Sequence, residues 1–192
     1  MNEIQAATEK LAKLIETEYR RIEAMGQTQS FTDFKALDKI IIGIVPGDGI
    51  GPIIIAQAER VLKELLHTEL ASGKIELRKI EGLTIENRSA KLESVPADVL
   101  TEIKQCHVIL KGPSTTPRAS DPWPNLPSAN ATLRRELDLF ANVRPVSLPE
   151  KGIDWTFYRE NIEGAYIWGS KGIQVDENLA VDFVGETKQG SE

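Results

Sequence analysis

The chain of 192 residues has one cysteine, two histidines, few aromatics and no apolar run near the length of a membrane span. Each shortage excludes something. A lone Cys106 forms neither an internal disulfide nor a multi-cysteine metal site, which fits a reducing compartment, and beside the apolar HVIL it reads as a small buried hydrophobe. His67 and His107 lie far apart with no second ligand at helical spacing, so they do not suggest a zinc site. A bilayer-crossing helix needs about 20 apolar residues, and the N-terminus lacks the apolar stretch of a secretory signal, so no membrane partner is expected. Basic residues are in deficit: 23 Lys and Arg against 29 Asp and Glu leave a net charge of -6, which argues against nucleic acid as a partner. Trp123, Trp155 and Trp168 are not spaced as a base-stacking platform and read as core or interface packing.

What is present is ordinary for a soluble globular chain in its apolar and charged fractions. The segment NEIQAATEKLAKLIETEYRRIEAM carries Ile4, Leu11, Leu14, Ile15, Ile22 and Met25 at helical spacing, and Gly26 is placed to end that helix. Glu3, Glu9, Glu16 and Glu18 are foreign to a mitochondrial transit peptide, so the segment is expected to be a packing arm of a cytoplasmic protein. KIIIGIVP then reads as a buried strand, GDGIGP as a loop, and IIIAQAERVLKELLHTEL as a helix whose Glu59, Glu64 and Glu69 form a solvated face. KIELRKIEG, PADVLTEIKQC and HVILKG continue as strand, helix and strand. Such alternation implies an α/β fold with a mainly parallel sheet flanked by helices. PSTTPRASDPWPNLPS has no periodicity and reads as a long functional loop. After a short helix from Ser128, strand composition dominates, in FANVRPV, IDWTFYREN and IQVDENLAVDFVGETK. The expected organisation is a helical arm over 1–37, an α/β domain over 38–145, and the start of a β-rich subdomain over 146–192.

The loop Gly47-Asp48-Gly49-Ile50-Gly51 sits where a dinucleotide fingerprint would, but its spacing is GxGxG and it lacks a P-loop Lys. It reads as a tight turn that needs glycine, with Pro52 at the helix start. SANATLRRELDLFANVRPV is more informative. On a helix Asn130 and Arg134 share one face, with Ser128 at the N-terminus able to cap it, so hydroxyl, amide and guanidinium can converge on one anion, the alternative for any one arginine being a surface ion pair. Arg144 and Arg159 follow on strands, with Tyr166 beyond them. Arginine meets a carboxylate through two parallel charge-assisted hydrogen bonds, so several arginines suit a polycarboxylate. Arg135, near Glu136 and Asp138, reads instead as a surface ion pair.

At these residues the sequence resembles the isocitrate and 3-isopropylmalate dehydrogenases. IIIGIVPGDGIGP resembles the family's opening strand and loop, LKGPSTTP its cofactor-proximal loop, SANATLRRELDLFANVRPV its substrate helix and strand, and FYRENIEGAY its tyrosine-bearing strand. The likeness runs from about Lys39 to the last residue and implies the isopropylmalate dehydrogenase-like fold. It assigns Ser128, Asn130, Arg134, Arg144 and Arg159 to substrate contacts, Tyr166 to proton donation, Lys111 to a position near substrate and cofactor, and Thr115 and Thr116 to the nicotinamide half of NAD or NADP. The polar S-x-N pair goes with isocitrate, since isopropylmalate enzymes have apolar residues there to meet an isopropyl group. The implied reaction oxidises the 2-hydroxyl of isocitrate by hydride transfer and then decarboxylates it to 2-oxoglutarate, with Mg or Mn as Lewis acid.

Family members are about twice as long. Their metal aspartates, second catalytic lysine and adenosine segment have no counterpart here, and Asp176 and Asp182 do not match the metal motif. The expectation is therefore an N-terminal half, inactive by itself, of an enzyme whose shared active site implies a homodimer. A split enzyme completed by a second polypeptide and a noncatalytic carboxylate-binding or regulatory module stand as alternatives.

Overall fold

Five of the six residues Ile40–Val45 are β-branched, which favours an extended backbone. In the computed structural model, which describes residues 2–27, 32–164, 173–175 and 180–181, they form the central strand of a parallel sheet. The elements in chain order are α1 (Glu3–Gln27), β1 (Ile40–Val45), α2 (Gly51–Leu65), α3 (His67–Ala71), β2 (Ile75–Lys79), α4 (Ile85–Lys91), α5 (Ala97–Lys104), β3 (Val108–Lys111), α6 (Ala129–Glu136), β4 (Ala141–Leu148), β5 (Ile153–Glu160), β6 (Ile173–Gln174) and β7 (Ala180–Val181). The chain divides into two units, Asp33–Leu137 and Met1–Thr32 with Asp138–Glu192.

In the unit Asp33–Leu137 the sheet order is β2-β1-β3, with Ile42 paired to Leu77 on one side and Ile44 to Leu110 on the other. Alternation along β1 sends Val45 into a core with Ile80, Leu83 and Val95, closed by Val99 and Ile103 of α5 and by Ala129 and Leu133 of α6. Gly43 lies where Ile109, Cys106 and Ile80 leave no room for a Cβ. Cys106 is half-buried, and its thiol donates weakly to the Glu102 carbonyl.

Two sequence expectations change here. The long helix over 53–70 is two helices, because Leu66 takes φ -110° and ψ 21° and ends α2 before α3 begins. Helix α4 was not foreseen; its signal is Thr84, whose hydroxyl caps it by accepting from Asn87 N. At its other end Leu92 takes the left-handed conformation, φ 55°. The irregular stretch after β3 is the expected long loop, without helix or strand from 112 to 128.

In the other unit β4 and β5 form an antiparallel hairpin, closed by a 3-10 turn at Pro149–Lys151 and by Gly152 at φ 66°. Its large side chains stay exposed, Val143 and Tyr158 on one face, Val146, Trp155 and Phe157 on the other, so Trp155 is not a core residue. β6 and β7 pair antiparallel. Only half of the apolar stripe of α1 packs: Leu11, Leu14 and Met25 are half-buried, while Ile4, Ile15 and Ile22 are exposed. Arg21 holds this helix down, donating to Asp138 at 2.7 Å and Glu163 at 2.9 Å from one guanidinium. Asp138 precedes β4 and Glu163 follows β5, so one side chain gathers both ends of the hairpin.

Candidate functional site

Ligands of open parallel sheets bind beyond the carboxyl ends of the strands, where the strand order reverses. With β2 on one side of β1 and β3 on the other, that point lies between β1 and β3. The loops emerging there, 46–50 and 112–116, touch directly: Asp48 N donates to the Pro113 carbonyl at 2.8 Å and Gly112 N to the Val45 carbonyl at 2.8 Å. The contact explains two glycines. A Cβ on Gly47, whose φ is 76°, would overlap the Pro113 carbonyl oxygen, and one on Gly112 would overlap that of Pro46. The tight-turn reading of GDGIG therefore fits, with a close approach of two loops as its cause.

Asp48 is buried, and its carboxylate accepts from Ile85 N and from Thr115 N, both at 2.7 Å. Arg88 is fully enclosed. Its fork donates from Nε to the Ser94 carbonyl at 2.7 Å, from Nη1 to Thr115 at 2.7 Å and from Nη2 to Pro127 at 3.1 Å. A buried charge persists only if its polar groups are paired, and backbone dipoles supply that pairing for both residues. Burial lowers the proton affinity of Arg88, an effect the Asp48 carboxylate opposes. Neither residue was singled out from sequence. Asp48 was submerged in a glycine pattern, and Arg88 had the look of a surface charge on an unforeseen helix.

Lys111 ends β3 half-buried, donating to the Gly112 carbonyl at 2.8 Å and to Ser114 Oγ at 2.6 Å. Burial lowers its pKa; Asp48 pulls it back up and Arg88 pushes it further down. Thr115 is half-buried and Thr116 exposed in the next residues of the loop. Ser128 caps α6 as expected, accepting from Ala131 N, with Asn130 exposed and Arg134 half-buried on the helix. The head of α6 is fixed from behind: Ser94 Oγ donates to the Pro127 carbonyl at 3.1 Å and contacts Thr132 Oγ1 at 2.7 Å. With the Ser94 proton spent on Pro127, Thr132 is the donor of that pair. Lys111, Thr115, Thr116, Ser128, Asn130 and Arg134 thus belong to one unit.

Arg144 and Arg159 belong to the other unit. Asn142 lies opposite Arg159 and Arg144 opposite Phe157, which makes the two arginines diagonal neighbours on one face of the hairpin. Arg144 Nε donates to Asn142 Oδ1 at 2.9 Å. Tyr166, Asp176 and Asp182 lie outside the described residues. Among the described residues no group of three or more His, Cys, Asp or Glu could hold a metal ion. A cleft of about 580 Å³ opens on the β2 side of β1, between Pro52, Ile55 and Glu59 of α2 and residues 79–84. It lies beside the β1/β3 crossing and shares with it Val45, Pro46 and Gly47.

The profile of the isocitrate/isopropylmalate dehydrogenase family matches residues 41–190. The chain belongs to this family. Isocitrate dehydrogenase [NADP] of Caldococcus noboribetus is 32% identical over 163 residues, 73% of this chain and 34% of that protein. The isocitrate/homoisocitrate dehydrogenase of Thermus thermophilus is 38% identical over 133 residues, 66% of this chain and 36% of that one. Among solved structures, a beta-decarboxylating dehydrogenase from Thermococcus kodakarensis superposes with a TM-score of 0.56 at 32% identity, covering 79% of this chain and 42% of its own. The chain therefore spans between a third and a half of the length of these β-decarboxylating dehydrogenases. Its parallel core sheet flanked by helices, with a smaller antiparallel sheet, is the fold of the family. Helix α1 precedes the matched region. Among the described residues no helix is long and apolar enough to cross a membrane.

Proposed function

We propose that this chain carries the substrate-orienting part of a cytoplasmic isocitrate dehydrogenase. The observation that carries the reading is the head of α6. Ser128 accepts from Ala131 N and keeps its hydroxyl proton for an anion, Asn130 follows it, and the N-terminus of an α-helix favours negative charge. A polar pair in this place suits the extra carboxylate of isocitrate and would be left unpaired against the isopropyl group of 3-isopropylmalate. Arg134, Arg144 and Arg159 are assigned to the remaining carboxylates, where planar forks give orientation as well as charge balance. Tyr166 is assigned to protonation of the product carbon.

Lys111 and the hydroxyls of Ser114, Thr115 and Thr116 form a donor set suited to the carboxamide and ribose of a nicotinamide nucleotide. NAD or NADP held there would supply the hydride acceptor for oxidation at the 2-carbon. The cluster of acids needed for Mg or Mn does not occur among the described residues. The residues of this chain span under half of their relatives' length, and we hold a homodimer to be the working assembly of the whole enzyme.

The decisive experiment is calorimetric binding of isocitrate, homoisocitrate and 3-isopropylmalate to the purified chain. Isocitrate is expected to bind, with at least about a tenfold loss in Arg134→Ala, Arg144→Ala and Arg159→Ala and none in Arg135→Ala. Tighter binding of 3-isopropylmalate overturns the reading. A homoisocitrate preference would instead match the names carried by relatives such as the Thermus protein.

A further inference from the structure

We infer that Arg88 is a positioning residue that sets the spacing between the Thr115 loop and the head of α6. The inference rests on the functional reading above for its consequence and on geometry alone for its cause. Arg88 has no exposed surface, so it meets neither substrate nor cofactor. Its three acceptors come from two connections: Ser94 lies between α4 and α5, whereas Thr115, just after β3, and Pro127, immediately before the cap of α6, both belong to the connection from β3 to α6.

The last two mark the ends of one irregular segment. Between Thr115 and Pro127 the chain has no helix or strand to hold its ends at a fixed distance. The rigid planar fork of one guanidinium spans both ends, reaching the first with Nη1 and the second with Nη2. Closing a loop of this kind otherwise relies on the chain's own entropy, which disfavours a single end-to-end distance.

The clasp is reinforced on each side. Thr115 N is held by Asp48, so that residue is pinned at both its donor and its acceptor. Pro127 O also accepts from Ser94 Oγ, which pairs with Thr132 inside α6. Thr115 and Thr116 stand on the assigned cofactor side and Ser128 and Asn130 on the assigned substrate side. A shift of about 1 Å between groups that orient two reactants is enough to cost on the order of a hundredfold in rate. An apolar residue of similar volume would fill the same space but leave the Ser94 and Thr115 carbonyls without a donor and the two ends of the segment without a common reference.

The test compares amide hydrogen exchange in the wild-type chain and in R88K, which keeps the charge and loses the fork. Exchange across 114–132 is expected to rise about tenfold or more while β1 and α5 stay within about twofold. Isocitrate affinity is expected to fall about tenfold with the melting temperature nearly unchanged, a split that a purely structural role would not produce. R88Q, which retains one short planar donor, serves if R88K does not fold. A uniform rise over the whole unit, no rise at all, or failure of both variants to fold would each overturn the inference. A wild-type chain that binds no isocitrate would sink the substrate reading alone, and the exchange pattern would still decide the role of Arg88.

Discussion

Asp48 and Arg88 grip the same residue from opposite directions: Thr115 gives its N–H to the carboxylate of one and its carbonyl to the guanidinium of the other, each at 2.7 Å. Two buried charges are thereby satisfied by backbone dipoles, and both acceptor positions of Asp48 are in use. Asp48→Asn turns one acceptor into a donor that faces an N–H. The expected loss is about 2–3 kcal/mol of unfolding free energy, from a charge-assisted hydrogen bond removed and a buried amide left unpaired. Urea denaturation measures it, and a loss under about 0.5 kcal/mol would contradict the bridge.

Lys111 makes stability depend on pH in a definite direction. Burial lowers its folded-state pKa, so between the folded value and the ordinary lysine value of about 10.4 the unfolded chain holds more protons. Stability contributed by this site is therefore lowest below the folded pKa and grows as pH rises through that window. The stability of the wild type relative to Lys111→Met should increase as the pH rises toward the ordinary lysine value of about 10.4, measured as the difference in melting temperature. A difference that stays flat, or declines, rejects the assignment.

Arg21 is expected to matter where its neighbour Arg20 does not. The Arg21 side chain is 16% exposed and that of Glu163 is 11% exposed, whereas Arg20 and Glu16 are 80% and 68% exposed. Arg21→Ala should cost about 1.5–3 kcal/mol; Arg20→Ala should cost less than about 0.5 kcal/mol. Equal effects in a thermal melt would mean that α1 is not anchored through Asp138 and Glu163.

Gly112 offers a harsher test of the loop crossing. Alanine there would place its methyl against the Pro46 carbonyl, where neither backbone has slack. Overpacking of this kind costs about 1–3 kcal/mol and should move the β1 and β3 loops apart. Gly49, where a Cβ meets nothing, is the matched control at a loop glycine, and its φ of 59° limits the penalty to backbone strain. If Gly112→Ala is no worse than Gly49→Ala, the loops do not cross as described.

The strands and their parallel pairing were largely legible because runs such as IIIGIV and VILK are apolar and β-branched and alternate with helical segments, although the order β2-β1-β3 was not. The Ser128 cap was legible because its chemistry is local. Helix α4 was not, since its seven residues offer too few turns for a period to stand out. The Asp48–Thr115–Arg88 chain was illegible for a different reason. It joins residues distant in sequence through main-chain atoms, which every residue carries, so no side-chain pattern announces it. Half of the arm's apolar stripe was misjudged because periodicity reports which side chains could be buried and says nothing of what is there to cover them.

The cap of α4 separates what this fold demands of a backbone from what it asks of a side chain. Leu92 holds φ 55° with its side chain 70% exposed, so the leucine gains little from burial in a conformation that costs a β-carbon about 1 kcal/mol. The turn itself is required: just past it Glu93 N returns to the Arg88 carbonyl and Ser94 presents its carbonyl to the Arg88 fork. The turn requires the left-handed backbone here and not a leucine side chain, which makes position 92 a place where glycine or asparagine can be introduced without disturbing anything that Arg88 aligns.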